Sequence, residues 1–301
     1  MPSSPQVFKT PLTELFNIKH PVMLAGMNVA AGPRLAAAVT NAGGIGVIGG
    51  LGQTPKNLQR SIDEIKEHLE DKNAPFGVDL LIPQVGGKAR KTNHVQKALD
   101  QGVDIICAQG GEGGGHTGDT PFSVLIPACI DICKNAKSPL NGKPVLVVAA
   151  GGIADGRGLA ASLAYGAAGV WVGTRFVASV EAGAPKMHKE LIVSSGYDDF
   201  AKTTIYTGRP LQVRKTDYIV DWEENRRDEI KKLTAEGKIP HEVELEKRPE
   251  ISLPGRAWLM GRVAGAIHDI KPAKEIVDEM ITTAAQCIRQ TNSYLVPQAK
   301  L

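Results

Sequence analysis

Six continuous apolar segments, separated by stretches of helical periodicity, constrain the fold of this chain more than any other feature. Apolar runs without alternating polar residues are typical of parallel strands that are buried on both faces. The six segments are residues 21–27, 44–50, 76–83, 103–110, 144–152 and 168–176. Between them, apolar residues recur at helical spacing, and Thr54 followed by Pro55 is a typical helix start. The alternation predicts right-handed βαβ units and therefore a parallel α/β barrel with about six strands.

The pattern changes after about residue 183. Residues 221–250 are dominated by charged side chains, which predicts a solvated helix and an irregular connection rather than a binding surface. A last helix carries Ile276, Met280 and Ala284 at helical spacing, and we expect it to pack on the outside of the barrel. We therefore divide the chain into a barrel core with the ligand site, residues 1–183, and a helical extension, residues 184–301.

Composition excludes several classes of protein. A formal net charge of +3 provides no strong field for nucleic acid or for an anionic membrane, so we expect neither as a partner. No apolar run approaches the roughly 18 residues that span a bilayer, and the first residues lack the apolar core of a secretion signal. The final tripeptide, residues 299–301 (Ala-Lys-Leu), resembles the Ser-Lys-Leu peroxisomal signal, although a chance match is an alternative. We expect a cytoplasmic or peroxisomal protein.

Glycine clusters stand where two of the predicted strands end. Gly151 and Gly152 follow the fifth strand, and Gly173 and Thr174 follow the sixth. Ligands of parallel α/β folds bind at the carboxyl ends of the strands, and free backbone N–H groups in such loops can hold a phosphate. The alternative for either cluster alone is a tight turn between strand and helix.

A third cluster, residues 109–119, contains six glycines around a single histidine. Glycine loses the most conformational entropy on folding, so such a loop is expected where the backbone must approach a flat or phosphorylated ligand. His116 is its one base with a pKa near neutrality and is the candidate catalytic residue. Glu112 and Asp119 add too few ligands for a metal, so we expect no metal site. The other histidines lie in polar contexts, and we expect most of them to be solvated.

At this point the sequence resembles the nitronate monooxygenases (2-nitropropane dioxygenases) of the fungal type. The matching stretches are residues 21–50, 108–119, 147–176, 207–210 (TGRP) and 261–280. The resemblance implies an FMN-bound TIM barrel that oxidises alkyl nitronates with O₂ to carbonyl compounds and nitrite. It implies that His116 either deprotonates a nitroalkane as a base or steers the nitronate anion. It also implies FMN contacts at Gly26, Met27 and Asn28 beside the ring, at Gly151, Gly152, Gly173 and Thr174 around the phosphate, and more weakly at Gln109 near the ring.

The chain departs from this family in one respect. Six strands are present where the family has eight, and too few residues separate the third strand from the fourth for two further βα units. We place the junction at Asn93–His94. Six strands cannot close as eight do, so we expect the third and fourth strands either to become neighbours or to leave exposed edges. Exposed strand edges can pair with those of another chain, and we therefore include a homo-oligomer among the expected states of the protein.

Other interpretations stay open on the sequence. One is an FMN-dependent enoyl reductase of the same superfamily, which shares the glycine-flanked histidine. Another is a truncated barrel that binds flavin poorly and performs no chemistry, and the missing strands favour it. A phosphate-binding isomerase or aldolase is weaker, since no Schiff-base lysine or pair of carboxylates stands out.

Overall fold

The computed structural model describes residues 5–80 and 91–296 of the chain. In these ranges the strands are β1 (Val22–Leu24), β2 (Gly46–Gly49), β3 (Phe76–Asp79), β4 (Ile105–Gln109), β5 (Gly115–His116), β6 (Leu146–Ala150), β7 (Gly169–Val172), β8 (Phe200–Thr203) and β9 (Leu211–Arg214). The helices are α1 (Pro11–Phe16), α2 (Pro33–Asn41), α3 (Pro55–His68), α4 (Lys91–Asp100), α5 (Phe122–Cys133), α6 (Gly156–Ala164), α7 (Thr174–Val177), α8 (Lys186–Val193), α9 (Asp217–Asn225), α10 (Arg227–Ala235), α11 (Pro240–Lys247) and α12 (Ala273–Asn292). Two 3₁₀ turns lie at Pro249–Ser252 and Arg262–Ala266.

All six predicted barrel strands are present and parallel, which confirms the α/β barrel class. One sheet has the order β1-β7-β6-β4, and a second pairs β2 with β3. A single parallel bridge from Met23 to Ile45 joins β1 to β2, so the strands follow one another as β3-β2-β1-β7-β6-β4. Helices separate the strands along the chain, as the alternation predicted.

The ring is open between β3 and β4. Among the described residues, no strand pairing joins these two strands. Ile106 and Ala108 of β4 are buried, whereas Cys107 between them is exposed towards the other side of the sheet. Within residues 5–80 and 91–296, β3 and β4 therefore each end a sheet without a strand partner on that side, and whether these edges are exposed stays a prediction. Residues 81–83 of the third predicted strand lie outside the described residues.

Local sequence explains where the helices begin and end. The Thr54 hydroxyl accepts a hydrogen bond from the Asn57 N–H at 3.3 Å, and Pro55 occupies the first helical position of α3, as predicted. At α6, the Asp155 carboxylate accepts from the N–H groups of Arg157 and Gly158. These caps fix the point at which each helix leaves the loop after a strand.

Two apolar cores hold the barrel together. The larger lies between the strands and the surrounding helices and includes Leu24, Leu35, Ile126 and Val172. The smaller lies inside the barrel and includes Met23, Ile45, Val47 and Val148, with Leu12 of α1 packed against them. A cavity of about 410 Å³ beside this inner core is lined by residues of β1, β2, β3 and β7.

Residues 184–301 contain more than the predicted helices. Strands β8 and β9 form an antiparallel hairpin, and β9 also pairs with β5 of the glycine-rich loop. The helical pattern missed this hairpin, because its strands are only four residues long each. The last helix, α12, packs on the barrel as expected, since Ile276, Val277 and Met280 belong to the larger core. The division at residue 183 itself stays a prediction.

Some predictions fall outside the described ranges. The peroxisomal-like tripeptide at residues 299–301 lies there, as does the glycine and basic stretch after residue 83. In the described ranges, each helix is too short or too polar to cross a membrane.

The contact between α6 and α12 yields a test of the fold. A Cβ at Gly156 would overlap the carbonyl oxygen of Met280 and the N–H of Ala284. We expect Gly156→Ala to lower the free energy of unfolding by about 1–3 kcal/mol, because a methyl group forces the two helices apart. Urea denaturation would measure it. Gly196→Ala is the matched control, since a Cβ there meets only the Asp199 carboxylate at 3.6 Å; equal stability of the two variants would contradict the close packing.

Candidate active site

One cavity of about 600 Å³ lies at the carboxyl ends of the barrel strands and collects all the site residues predicted from the sequence. A cavity of this size is in the range of small-molecule and cofactor sites. The predicted residues in its wall are Gly26, Met27, Asn28, Gln109, His116, Gly151, Gly152, Gly173 and Thr174. The structure thus brings every one of them together; their individual roles stay predictions.

Several backbone N–H groups in this wall have no acceptor among the described residues, and four of them stand directly at the ends of β6 and β7. These four belong to Gly151, Gly152, Gly173 and Thr174. Gly151 and Gly152 have φ angles of 84° and 76°, a left-handed conformation that glycine adopts without strain. The Thr174 hydroxyl accepts from the Gly261 N–H at 3.0 Å, so its own proton is left to donate. The arrangement suits an anion such as a phosphate.

The N-terminus of α6 does not contribute to this anion site. Its first N–H groups donate to the Asp155 carboxylate, at 2.9 Å from Arg157 and 3.3 Å from Gly158. A phosphate there would also meet the negative charge of Asp155. The candidate donors for an anion are therefore the N–H groups of the glycine turns after β6 and β7, since those of Arg157 and Gly158 in α6 are already bonded.

Side-chain amides fix the glycine-rich loop after β4. Gln212 of β9 donates to the carbonyl oxygens of Glu112 and Gly113, at 3.1 and 2.7 Å. Gln109 donates to the carbonyl oxygen of His116 at 3.1 Å. The Glu112 carboxylate accepts from the Phe122 N–H at 3.0 Å and so caps α5. These hydrogen bonds fix the conformation of the loop, which its flexible glycine residues would not do by themselves.

His116 is held at the cavity wall by its own strand and by a neighbouring turn. Its backbone pairs with Leu211 in the antiparallel β5–β9 ladder. Its Nε2 lies 3.0 Å from the hydroxyl oxygen of Thr207. Burial, and then the positive charge of Arg209, lower the pKa of His116 below the ordinary value of 6.5. The imidazole is therefore neutral at pH 7, as a general base must be.

The loop after β1 lies very close to the ends of β2 and β3. A Cβ at Gly26 would overlap the side chain of Asp79, and a Cβ at Gly49 would lie 2.7 Å from the Asn28 nitrogen. Val29 has a φ angle of 64°, unusual for a β-branched residue, and its side chain is 72% exposed. Backbone strain of this kind marks candidate functional loops.

Sequence reasoning missed several wall residues, which are Asp79, Trp171, His188, Tyr206, Thr207 and Arg256. Asp79 is the last residue of β3, and a polar residue at a strand end is a signal that could have identified it. Thr207 belongs to the TGRP stretch of the resemblance. Tyr206 and Arg256 come from distant segments joined by a hydrogen bond from the Tyr206 hydroxyl to the Gly255 carbonyl oxygen, at 2.9 Å. No local pattern signals that contact.

Three histidines contradict the expectation that most are solvated, and one of them is His241, which is half-buried with its Nδ1 3.0 Å from the Tyr218 hydroxyl oxygen. His188 is half-buried in the cavity wall, where its Nε2 lies 2.9 Å from the Leu259 carbonyl oxygen and its ring packs on Trp258. His20 is completely buried. In His20 and His188, burial lowers the pKa, which favours the neutral form.

A family model described as nitronate monooxygenase matches residues 9–93 and 85–283. The two matched segments overlap at residues 85–93, next to the junction predicted at Asn93–His94. This break in the match is what a loss of internal units would produce, and that loss stays a prediction.

Known proteins resemble the chain over most of its length. It is 34% identical over 261 residues to the (3aS,4S,5R,7aS)-5-hydroxy-7a-methyl-1-oxo-octahydro-1H-indene-4-carboxyl-CoA dehydrogenase of Mycobacterium tuberculosis, covering 73% of this chain and 70% of that protein. It is 30% identical over 285 residues to a probable nitronate monooxygenase of Staphylococcus saprophyticus, covering 70% and 79% of the two. Among solved structures, FabK from Thermotoga maritima matches with a TM-score of 0.79 and 28% identity, covering 96% of this chain and all of that one.

The electrostatic setting of His116 makes a testable prediction. Replacing Arg209 with glutamine removes a positive charge that disfavours the imidazolium, so the pKa of His116 should rise. It should stay below 6.5, because burial, the larger cause, is unchanged. A pH titration of the His116 ring signals by NMR measures the shift. Arg289→Gln, on the exposed face of α12, is the control and should leave this pKa unaltered; an unchanged pKa in Arg209→Gln would contradict the assignment.

Proposed function

The chain belongs to the nitronate monooxygenase family, and from this premise we propose that it binds FMN and oxidises alkyl nitronates with O₂ to carbonyl compounds and nitrite. One observation carries the proposal. The neutral base His116 and the four unpaired N–H donors of the anion site line the same cavity at the carboxyl ends of the barrel strands. A base facing a cofactor held by its phosphate is what removal of a carbon-bound proton followed by oxidation requires.

The residues present fit FMN. The N–H groups of Gly151, Gly152 and Gly173, with the Thr174 hydroxyl, would hold the phosphate. The loop of Gly26, Met27 and Asn28 would lie beside the ring, where small residues leave room for a flat group. When bound, the flavin supplies the redox chemistry by accepting electrons from the substrate and passing them to O₂.

The role of His116 is to move one proton. With a neutral nitroalkane, the imidazole takes the proton from the carbon next to the nitro group, and the product is the nitronate anion. The low pKa caused by burial and by Arg209 keeps the ring unprotonated and ready for this step. A preformed nitronate has already lost this proton and does not need the base.

An FMN-dependent enoyl reductase is the second candidate. The observation that favours it is the 34% identity to a protein named as a carboxyl-CoA dehydrogenase, which exceeds the 30% identity to the probable nitronate monooxygenase. Parallel assays decide between the two. Turnover of a nitronate with O₂ supports the first, and oxidation of NAD(P)H in the presence of an enoyl thioester supports the second.

The third candidate is a truncated barrel that binds flavin poorly or not at all and performs no chemistry, and the absence of a described pairing between β3 and β4 favours it. The absorbance spectrum of the purified chain separates it from both enzymes. Bound flavin near one equivalent per chain contradicts this candidate. A colourless protein that stays colourless after incubation with FMN supports it and overturns the proposed function.

Substitution at Gly173 tests the placement of the phosphate. Its φ is −108°, and a Cβ there would make ordinary contacts of 3.5 Å with Ala25 and Met27, so the fold should accept a side chain. We expect Gly173→Val to weaken FMN binding at least about tenfold, because branched carbons occupy the space of the phosphate. Flavin fluorescence titration measures the affinity, and far-UV circular dichroism checks the fold.

Gly196→Val, on an exposed turn, is the matched control and should bind FMN normally. Gly151 is a poorer probe: a Cβ there would lie 2.9 Å from the Gly110 carbonyl oxygen, on a left-handed backbone, so the variant would disturb the protein itself. Retention of full FMN affinity by Gly173→Val would refute the placement.

A second prediction concerns the base. We expect His116→Asn to reduce kcat with a neutral nitroalkane by about 10²–10⁴, the usual contribution of a general base. Turnover with preformed nitronate should fall much less, because no carbon-bound proton is then removed. Steady-state kinetics on both forms of one compound measure the ratio. Equal losses on the two would show that His116 only binds the anion.

A further inference from the structure

We propose that Thr207 is a positioning residue that holds His116 with its proton on Nε2, so that Nδ1 is the nitrogen that takes the substrate proton. The proposal rests on the base role of His116 given above. The observation that carries it is the hydrogen bond between the Thr207 hydroxyl and His116 Nε2, at 3.0 Å.

The hydroxyl of Thr207 has one proton and three polar neighbours. Its Oγ1 lies 3.2 Å from the Arg209 carbonyl oxygen, to which only the hydroxyl can donate. The Arg209 N–H donates to the same Oγ1 at 3.3 Å. All three contacts are hydrogen bonds in one arrangement only. In it, the Thr207 hydroxyl donates to the Arg209 carbonyl oxygen, and its oxygen accepts from the Arg209 N–H and from the Nε2–H of His116. The opposite arrangement, with Thr207 donating to Nε2, leaves that carbonyl without this donor.

Because Thr207 has only one proton to donate, its hydrogen bonds determine which nitrogen of His116 carries the proton. A neutral imidazole carries one N–H, and the partner of that N–H determines which nitrogen is the base. With Nε2–H directed at Thr207, the lone pair is on Nδ1. Among the described residues, Nδ1 has no hydrogen-bond partner, and His116 lines the cavity. When Nδ1 takes a proton, the Nε2–H bond to Thr207 is kept and no hydroxyl has to rotate.

Two structural features hold this contact in place, namely the turn of the β8–β9 hairpin and the pairing of β9 with β5. The β8–β9 hairpin turns at residues 204–210, where the Gly208 N–H donates to the Thr204 carbonyl oxygen at 2.8 Å with a φ of 70° at Gly208. Strand β9 pairs with β5, so the same hairpin fixes both the backbone of His116 and the hydroxyl that orients its ring. Thr207 itself is exposed, so a change of its side chain should not unfold the protein.

The test compares Thr207→Val, which keeps the shape but has no hydroxyl, with Thr207→Ser, which keeps the hydroxyl. The primary readout is the ¹⁵N chemical shifts of the His116 ring above its pKa, assigned by their loss in His116→Asn. In the unchanged protein and in Thr207→Ser, we expect a single tautomer with the proton on Nε2. In Thr207→Val, the two nitrogen shifts should move towards each other, because both tautomers become populated.

Kinetics supply the second readout. We expect Thr207→Val to lower kcat with neutral nitroalkane about tenfold, the loss typical of a partner that orients a functional histidine. Turnover with preformed nitronate should change less than about twofold, and Thr207→Ser should restore the nitroalkane rate. A purely structural role would reduce both rates together.

Two results would overturn the proposal. One is a His116 ring protonated on Nδ1 in the unchanged protein, and the other is a Thr207→Val variant with the same ¹⁵N shifts as the unchanged protein. A different result would show that His116 is not the base at all. If His116→Asn loses nitroalkane and nitronate turnover equally, the proposed function of His116 is wrong, while the ring shifts still decide whether Thr207 fixes the tautomer.

Discussion

The two hydrogen bonds from Gln212 to the carbonyl oxygens of Glu112 and Gly113 connect the barrel to the segment that follows it. They add to the backbone bonds that order the glycine-rich loop, such as the bond from the Gly111 N–H to the Thr120 carbonyl oxygen at 2.7 Å, and so offset the entropy that glycine loses on folding. Gln212 is almost completely buried, at 1% exposure, so both amide bonds are shielded from water. The adjoining β5–β9 pairing places His116 in the wall of the same cavity as Gly151 and Gly173. The geometry of the site therefore depends on a hairpin that lies about 90 residues after the loop it supports.

The barrel strands and the glycines that line the cavity could be predicted from the sequence because their signals are local. An unbroken apolar run indicates a strand buried on both faces, and a glycine pair at its end, such as Gly151 and Gly152, indicates a tight turn. Thr207, Tyr206 and Arg256 could not be found in this way. Their place in the wall depends on tertiary contacts across long stretches of chain, and each has an ordinary local context. His20 and His188 were misread for the same reason, since a polar neighbourhood in sequence does not determine burial.

The opening between β3 and β4 changes the inside of the barrel as well as its edge. In a closed barrel, inward side chains from all strands fill the interior in layers. Here Asp79 and Trp171 line both the site cavity and the 410 Å³ cavity beside the inner core, so the two spaces meet at these residues. Cys107 of β4 has a solvent-exposed side chain and interacts with the charge of Asp79. Desolvation, and then the charge of Asp79, raise the pKa of its thiol to about 12, so it stays protonated and unreactive.

Val29 combines a left-handed backbone with a β-branched side chain in the wall of the site cavity. Val29, Gly151 and Gly152 all have positive φ angles, and all three line the same cavity. For Val29 this conformation opposes the preference of a β-branched residue, and its exposed side chain gains no burial in return. The turn is held by flanking backbone bonds, from the Ala31 N–H to the Met27 carbonyl oxygen at 3.0 Å and from the Gly183 N–H to the Ala30 carbonyl oxygen at 3.1 Å. Conflict between local preference and observed backbone is typical of functional sites. The loop after β1 is therefore a candidate part of the site on physical grounds that do not depend on the family resemblance.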